Sequence, residues 1–232
     1  MAEKIIILDF GSQYTQLIAR RVRELNVYCE IHPFSKIPDL DDSVKGIILS
    51  GSPCSVRQEG KPDINLGQLI GKAPILGICY GAQLMAHKSG GEILPSEIRE
   101  YGRAKLAKVD SKNELLKEIN IGSQVWMSHG DTILDIPEDY EIIASTDSVN
   151  VAAFHSLSNP IWGIQFHPEV THSEQGKIIL RNFVVHICHC IQNWTPDIFV
   201  ESTIEGLMEQ LGNDKVVLGL SGGVDSSVAA FL

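Results

Sequence analysis

The chain has 232 residues, 44% hydrophobic and 21% charged, which is an ordinary composition for a soluble globular protein. Its length exceeds the usual size of one domain, so we expect one full domain and an additional piece. The 29 acidic residues outnumber the 19 basic ones, and the resulting formal charge of -10 opposes general attraction to nucleic-acid backbones or anionic membranes. Small molecules are therefore the expected partners, with no nucleic acid and no membrane among them.

The apolar segments and the cysteines restrict the location of the chain. No segment approaches the run of ~20 apolar residues that a membrane span needs. The apolar run that begins at Ile5 is short and soon becomes polar, which does not fit a signal peptide and predicts a cytoplasmic location. The 5 cysteines are an odd, scattered set, so reduced thiols are expected and one of them is available for chemistry.

The first half of the chain alternates apolar runs with amphipathic segments. Lys4–Asp9 is a continuous β-rich run, typical of a strand buried on both faces of a parallel sheet, and apolar positions from Tyr14 to Leu25 recur at helical spacing. Further strands are predicted at residues 27–32, 46–49 and 74–78. Strands that alternate with helices indicate an open, mostly parallel α/β sheet with flanking helices.

The second half begins with closely spaced β runs, which predict some antiparallel strands. These runs cover residues 104–109, 124–127, 141–145, 151–155 and 161–166. A long helix is predicted over residues 173–193, and Pro196 marks the boundary after it. We therefore expect a first domain of residues 1–193.

Residues 194–232 contain the expected start of a second, truncated α/β domain. The pattern predicts a linker helix at 198–211, a strand at 215–220, a glycine-rich turn, and the first turns of a helix that stops at Leu232. A lone parallel strand lacks partners, so residues after about Pro196 are expected to be poorly ordered.

Cys79 is the candidate nucleophile. It lies in Gly-Ile-Cys-Tyr-Gly, between an apolar run and a helical pattern, which is the thiol version of a nucleophile elbow. Such a sharp turn needs glycine neighbours because backbones approach closely, and the helix N-terminus that follows favours the thiolate. A buried structural cysteine is the alternative interpretation. The other cysteines have no such turn and are interpreted as structural.

His167 and Glu169 flank Pro168 at the end of a predicted strand. Residues i and i+2 of an extended segment project to the same side, and Pro168 keeps His167 out of helical conformation. This pattern favours a carboxylate that orients an imidazole within reach of a thiol. A hydrogen-bonded structural histidine is the alternative.

The remaining histidines and the turn at Gly51 complete the set of candidate residues. His186, His189 and Cys190 have helical spacing, but zinc needs four ligands and no nearby motif supplies the rest, so no metal site is predicted. The N–H of Tyr80, the residue after the candidate nucleophile, is one candidate oxyanion donor, and the N–H of Gly51, in the turn after a parallel strand, is the second. Gly51-Ser52-Pro53 also fits a simple turn. Four histidines are interpreted as surface or hydrogen-bonded core residues: His32, His87, His155 and His172.

Four motifs, in this order and spacing, resemble those of the class I (triad) glutamine amidotransferases. They are Gly51-Ser52-Pro53, Gly77-Ile78-Cys79-Tyr80-Gly81-Ala82-Gln83, Ser128-His129-Gly130-Asp131 and His167-Pro168-Glu169. Within that class, residues 7–14, the junction Trp194-Thr195-Pro196 and the later Ser-Gly-Gly-Val-Asp-Ser-Ser sequence are similar to the family of glutamine-hydrolysing GMP synthetases.

The resemblance implies a reaction and its binding residues. Cys79 would attack the side-chain amide of L-glutamine, form a glutamyl thioester and release ammonia, while His167 would protonate the leaving amine. Gln83 and Asp131 would hold the amino-acid end, and His129 and Gly130 would shape the pocket wall. No cofactor is implied for this hydrolysis.

The resemblance also implies ATP binding by the C-terminal segment, whose glycine-rich turn resembles the pyrophosphate loop of N-type ATP pyrophosphatases. The residues concerned are Ser221, Gly222, Gly223, Val224, Asp225, Ser226 and Ser227. In the whole family enzyme, a homodimer, this domain uses ATP and Mg²⁺ to adenylate XMP, and ammonia completes GMP. Most of that region is missing here, so we expect glutaminase competence only.

Two other functions remain open at this point. One is a different thiol hydrolase of the same fold, against which Gln83 and the Ser-His-Gly-Asp motif argue. The other is a nucleotide-binding module whose triad is vestigial. Ammonia release from glutamine, compared with peptide cleavage, tests the first alternative, and loss of ammonia release in Cys79→Ala tests the second.

Overall fold

The computed structural model describes residues 3–231, except for the side chains of residues 97–100. The chain divides after Gln192 into two compact units. Among the described residues, no helix is long and apolar enough to cross a membrane.

The described part of the first unit contains one sheet of nine strands, in the order β2-β1-β3-β4-β9-β8-β7-β5-β6. Neighbouring strands are parallel from β2 to β9 and antiparallel from β9 to β6, so the predicted mixture of parallel and antiparallel strands is confirmed. The antiparallel part is as extensive as the parallel part. The strands are β1 (Lys4–Asp9), β2 (Tyr28–Pro33), β3 (Val44–Leu49), β4 (Ile75–Ile78), β5 (Glu92–Val109), β6 (Gln124–Asp135), β7 (Tyr140–Thr146), β8 (Ala153–Ser156) and β9 (Ile161–Ile164).

Helices cover both faces of the sheet's parallel part. They are α1 (Thr15–Arg23), α2 (Tyr80–Lys88) and α3 (Gly176–Arg181), with short 3-10 turns at Leu66–Gln68 and Glu114–Leu116. In β1, Ile5 and Ile7 pack in the apolar cluster that includes α1 and α3, whereas Ile6 and Leu8 pack in the cluster that includes α2. Successive strand residues point to opposite faces, so burial on both faces explains the unbroken apolar run in the sequence.

The predicted long helix over residues 173–193 is shorter than expected. It begins at Gly176, becomes π-helical at Asn182–Ile187 and ends there. The N–H of Cys188 donates to the carbonyl of Phe183 at 2.9 Å, a wider turn than that of an α-helix. His189 then adopts a φ of 53°, a left-handed conformation that stops the helix.

The second unit contains α4 (Pro196–Leu211) and α5 (Val224–Phe231). The strand predicted at residues 215–220 is wrong, because these described residues form no strand. A parallel strand is stabilised by hydrogen bonds to a neighbouring strand, and the described residues of this unit offer none. Leu232, where the last helix was predicted to stop, lies outside the described residues.

Candidate active site

Three adjacent parallel strands place the predicted reactive residues at one edge of the sheet. β3, β4 and β9 are hydrogen-bonded neighbours, and their carboxyl ends lead into Gly51, Cys79 and His167 respectively. Ligands bind at such edges in open α/β sheets. All three residues line a single cavity of about 810 Å³.

Cys79 lies at a sharp turn between β4 and α2. Its φ is 53° and its ψ is -105°, a conformation that side-chain-bearing residues rarely adopt. The turn is fixed by its N–H, which donates to the carbonyl of Ile164 at 2.8 Å, and by the N–H of Gly81, which donates to that of Ser50 at 3.1 Å. Cys79 is only 4% exposed, and it lines the cavity.

The glycines of the elbow are required by close backbone approach. A Cβ at Gly77 would lie 2.6 Å from the backbone nitrogen of Ala82, and a Cβ at Gly81 would lie 2.5 Å from the carbonyl oxygen of Leu49. Neither contact is possible for a larger residue without movement of the backbone. The spacing G-x-C-x-G therefore follows from the packing of α2 against β3 and β4.

His167 and Glu169 form a buried pair. Nδ1 of His167 lies 2.7 Å from Oε1 of Glu169, and the two residues are 3% and 0% exposed. Burial lowers the pKa of His167, but the charges of Glu169 and Cys79 outweigh it and hold this pKa well above its usual value. With Nδ1 directed at Glu169, Nε2 is the nitrogen left to exchange a proton in the cavity.

Several residues that support this pair were not predicted from the sequence. The ring of Tyr14 packs edge-on against the imidazole, with centroids 4.9 Å apart. Ser173 donates its hydroxyl to the carbonyl of His167 at 2.5 Å, and Arg21 donates its Nε–H to that of Glu169 at 2.9 Å. Arg21 and Glu169 are separated by 148 positions, so no local pattern could have revealed the contact.

The candidate oxyanion donors lie beside Cys79 and the imidazole of His167. Tyr80 is the first residue of α2, where helix geometry gives an N–H no acceptor within the helix. A Cβ at Gly51 would lie 3.4 Å from Cε1 of His167, so the backbone of Gly51 closely approaches the imidazole. Tyr80 is placed by the turn itself and Gly51 by the loop after β3.

The predicted glutamine-binding residues line the same cavity. Gln83, one turn after Cys79 in α2, donates its side-chain N–H to the backbone carbonyl of Asp131 at 2.7 Å. Asp131 also accepts a hydrogen bond from the hydroxyl of Ser55 through its side chain. Burial lowers the pKa of His129 to about 4, so this imidazole is neutral near pH 7. The cavity is also lined by residues that were not predicted: Ser55, Gln58, Pro95, Ser96 and Tyr101.

The residues predicted to bind ATP belong to the second unit. Residues 221–223 form a turn before α5, with Gly222 at a φ of 79°. The hydroxyls of Ser221 and Ser226 lie 3.0 Å apart, and Ser227 donates its hydroxyl to the carbonyl of Gly223 at 2.8 Å. This turn and the start of α5 present hydroxyl and backbone N–H donors that are suited to phosphate oxygens.

The other histidines lie outside the cavity. His32 lies 2.9 Å from Glu30, His155 stacks on Trp162, and His172 packs against Trp126. In the part of the chain that the structure describes, no three His, Cys, Asp or Glu residues are grouped so that they could hold a metal ion.

Comparison with known proteins gives relatives over the whole chain. GMP synthase [glutamine-hydrolyzing] of Cytophaga hutchinsonii is 68% identical over 232 residues, and that of Bacteroides fragilis is 61% identical. Both alignments cover 100% of this chain and 46% of the relative. The chain therefore spans about half the length of these curated relatives.

Solved structures give the same fold. A candidate GMP synthase subunit from Thermoplasma acidophilum is 31% identical with a TM-score of 0.67, over 82% of this chain and 95% of that one. A glutamine amidotransferase of Thermotoga maritima, with a TM-score of 0.61 over 90% of this chain and 95% of that one, is 20% identical and supports the fold alone.

Family profiles match both units. Residues 199–232 are similar to the NAD synthase family, and residues 6–187 match the profile of glutamine amidotransferase class-I. The second match covers most of the chain and contains every motif of the cavity. The chain belongs to the class-I glutamine amidotransferase family.

Proposed function

We propose that the first unit hydrolyses the side-chain amide of L-glutamine to glutamate and ammonia, with Cys79, His167 and Glu169 as its catalytic triad. The observation that carries this proposal is the cavity that Cys79, on a strained turn, shares with His167, whose Nδ1 lies 2.7 Å from the buried carboxylate of Glu169. The membership of the class-I glutamine amidotransferase family supports glutamine as the substrate.

The geometry supports a two-stage acyl transfer. The sulfur of Cys79 attacks the amide carbon, and the N–H groups of Tyr80 and Gly51 receive the oxyanion. His167, whose raised pKa favours the imidazolium, donates the Nε2 proton to the leaving ammonia, while Glu169 holds the Nδ1 side. His167 then accepts a proton from water, which attacks the thioester and releases glutamate and the thiol.

The same proposal assigns the amino-acid end of the substrate to the antiparallel part of the sheet. Asp131 pairs with the α-ammonium group through a charge-assisted hydrogen bond, and Gln83 holds the backbone of Asp131 in place. His129, neutral near pH 7, and Gly130 form the adjacent wall without a competing positive charge. This hydrolysis requires no cofactor.

We further propose that the ammonia serves glutamine-dependent GMP synthesis, as the names of the relatives suggest. In that reaction ATP, with Mg²⁺, adenylates XMP, and ammonia displaces the adenylate to give GMP. The residues proposed to hold ATP phosphates are Ser221, Gly222, Gly223, Val224, Asp225, Ser226 and Ser227. A homodimeric whole enzyme and a cytoplasmic location are part of this proposal.

Ammonia release from L-glutamine by the 232-residue chain tests the glutaminase assignment. Cys79→Ala should abolish it with the circular dichroism spectrum unchanged, whereas Cys54→Ala, which removes another thiol of the same cavity, should not. Mass spectrometry after reaction with a diazoketone analogue of glutamine should find the modification on Cys79. Unchanged ammonia release by Cys79→Ala, or peptide cleavage without glutamine turnover, would contradict the assignment.

A further inference from the structure

One edge of β6 contacts both proposed reacting groups. β6 is the last strand in the order of the sheet, so its outer edge has no neighbouring strand among the described residues. The carbonyl of Trp126 accepts a hydrogen bond from the N–H of His167 at 2.9 Å, and the carbonyl oxygen of Ser128 lies 3.8 Å from Sγ of Cys79. A short stretch of β6 therefore lies against the histidine and the thiol.

The geometry of a β-strand explains why Trp126 and Ser128 share this edge. Hydrogen-bonded and non-hydrogen-bonded residues alternate in an antiparallel pair, so backbone groups two residues apart point to the same edge, about 6.5–7 Å from each other. β6 thus presents its two contacts at a fixed spacing. β5 pairs with both β6 and β7, which attaches this ribbon to the rest of the sheet.

Ser173 closes a ring of hydrogen bonds around the backbone of His167. Its hydroxyl donates to the carbonyl of His167 at 2.5 Å and accepts the N–H of Trp126 at 3.0 Å. The third bond of the ring runs from the N–H of His167 to the carbonyl of Trp126. Ser173 is 5% exposed, and loss of its hydroxyl would leave buried backbone groups without a partner.

The segment that carries Ser173 is itself bound along β6. The N–H of Glu174 donates to the carbonyl of Gln124 at 3.1 Å, and the side-chain N–H of Gln124 donates to the carbonyl of His172 at 2.8 Å. The N–H of Gly176, the first residue of α3, donates to the carbonyl of Ser173 at 3.0 Å. The hydroxyl of Ser173 is therefore held in place from both sides of the chain.

We propose that Ser173 is a positioning residue, whose hydroxyl fixes the backbone of His167 to β6 and so sets the separation between the imidazole and the sulfur of Cys79. This inference rests on the proposed glutaminase function. Burial lowers the pKa of His167, but the charges of Glu169 and Cys79 raise it, so the imidazole lies within electrostatic reach of the thiol. A misplacement of about 1 Å at such a site can cost about 100-fold in rate.

Ser173→Ala breaks the ring and tests this role. We expect kcat for glutamine to fall about 10- to 100-fold while KM changes by less than about 2-fold, because Ser173 positions a reacting group and is assigned no contact with the substrate. Ser173→Thr keeps the hydroxyl and should recover most of kcat.

Ser156→Ala is the matched control. Ser156 is 1% exposed, its hydroxyl oxygen accepts the N–H of Ser158 at 3.4 Å, and it lies in β8, outside the residues that line the cavity. This variant should lower the urea midpoint of unfolding without changing kcat. An unchanged kcat in Ser173→Ala would overturn the proposal. Equal slowing of a folded Ser173→Thr would also overturn it, because the hydroxyl would then not be the group that matters.

Amide hydrogen exchange in the wild-type chain tests the ring without any variant. The N–H of Trp126 lies on the outer edge of β6, yet it should be protected as strongly as amides bonded between β5 and β6, because it donates to the buried hydroxyl of Ser173. Rapid exchange of this amide would overturn the proposal.

Iodoacetamide tests the position of His167 without glutamine. An imidazolium beside sulfur favours the thiolate, so alkylation of Cys79, measured by mass spectrometry, should be slower in Ser173→Ala than in the wild type or Ser156→Ala. Equal rates in all three would overturn the role of Ser173. If the wild type released no ammonia but Ser173→Ala still slowed alkylation, the glutaminase assignment alone would fail and the positioning role would stand.

Discussion

The parallel and antiparallel parts of the sheet contribute different groups to the cavity. The parallel strands β3, β4 and β9 end at Gly51, Cys79 and His167, which are held by backbone turns and hydrogen bonds. The antiparallel pair β5–β6 contributes side chains along its length, including those of His129 and Asp131. The difference teaches that strand ends suit groups whose position must be fixed, such as the proposed reacting groups, whereas a β ribbon suits the groups proposed to recognise the substrate.

The largest expected effect comes from the parallel part. Cys79→Ala removes the only group proposed to form the thioester, so turnover of glutamine should fall to the uncatalysed background, a loss of about a million-fold. The fold should persist, because alanine is smaller than cysteine and the backbone hydrogen bond of residue 79 is retained. Ammonia release and circular dichroism measure the two properties separately.

Glu169→Gln tests the fixed histidine. The amide keeps the size of the side chain but removes the charge that raises the pKa of His167. We expect a kcat loss of about 100- to 10,000-fold. The imidazolium should also lose its proton at lower pH than in the wild type, so the alkaline limb of the kcat–pH profile should shift to lower pH. An unshifted limb would show that Glu169 does not control this titration.

Asp131→Asn tests the antiparallel part, and its effect should fall on binding. Loss of a charged hydrogen-bond partner for the α-ammonium should raise KM for glutamine about 10- to 100-fold, with a much smaller change in kcat. Asp135→Asn, at the last residue of the same strand, is the matched control and should leave KM unchanged. A fall in kcat with unchanged KM would place Asp131 among the reacting groups and break the division between the two parts.

Gly130→Ala is expected to have the smallest effect. A Cβ at this position meets no heavy atom of the protein within 4 Å, so the free energy of unfolding should change by less than about 0.5 kcal/mol. Gly81→Ala is the contrasting variant in the parallel part. Its Cβ would lie 2.5 Å from a carbonyl oxygen, and we expect thermal or urea unfolding to show a loss of about 1–3 kcal/mol.

The sequence predicted best what depends on local pattern. The unbroken apolar run of β1 predicted its bounds correctly, because burial on both faces requires a continuous apolar run that is readable in one segment. The turn at Cys79 was likewise readable, since close packing restricts its neighbours to glycine. The last helix of the first unit was predicted too long, because the apolar spacing continues past Ile187 while the backbone widens and turns at His189.

Contacts between distant segments could not be predicted from patterns in the sequence. Tyr14 was interpreted only as an apolar helix position, and no pattern in the sequence singled out Arg21, although both support the His167–Glu169 pair. The strand expected at residues 215–220 failed for a related reason. Its composition is β-rich, but a strand forms only when a neighbouring strand accepts and donates its hydrogen bonds. The pattern of one segment carries no information about neighbouring strands.

The left-handed backbone at Cys79 combines a reactive side chain with a cost in stability of the folded chain. Glycine tolerates a φ of 53° without the penalty of about 1 kcal/mol or more that a Cβ incurs. A chain with glycine at position 79 should therefore unfold at a higher temperature. It would, however, lack the thiol that the proposed mechanism requires. Selection for thermal stability alone would therefore favour glycine over cysteine at this position.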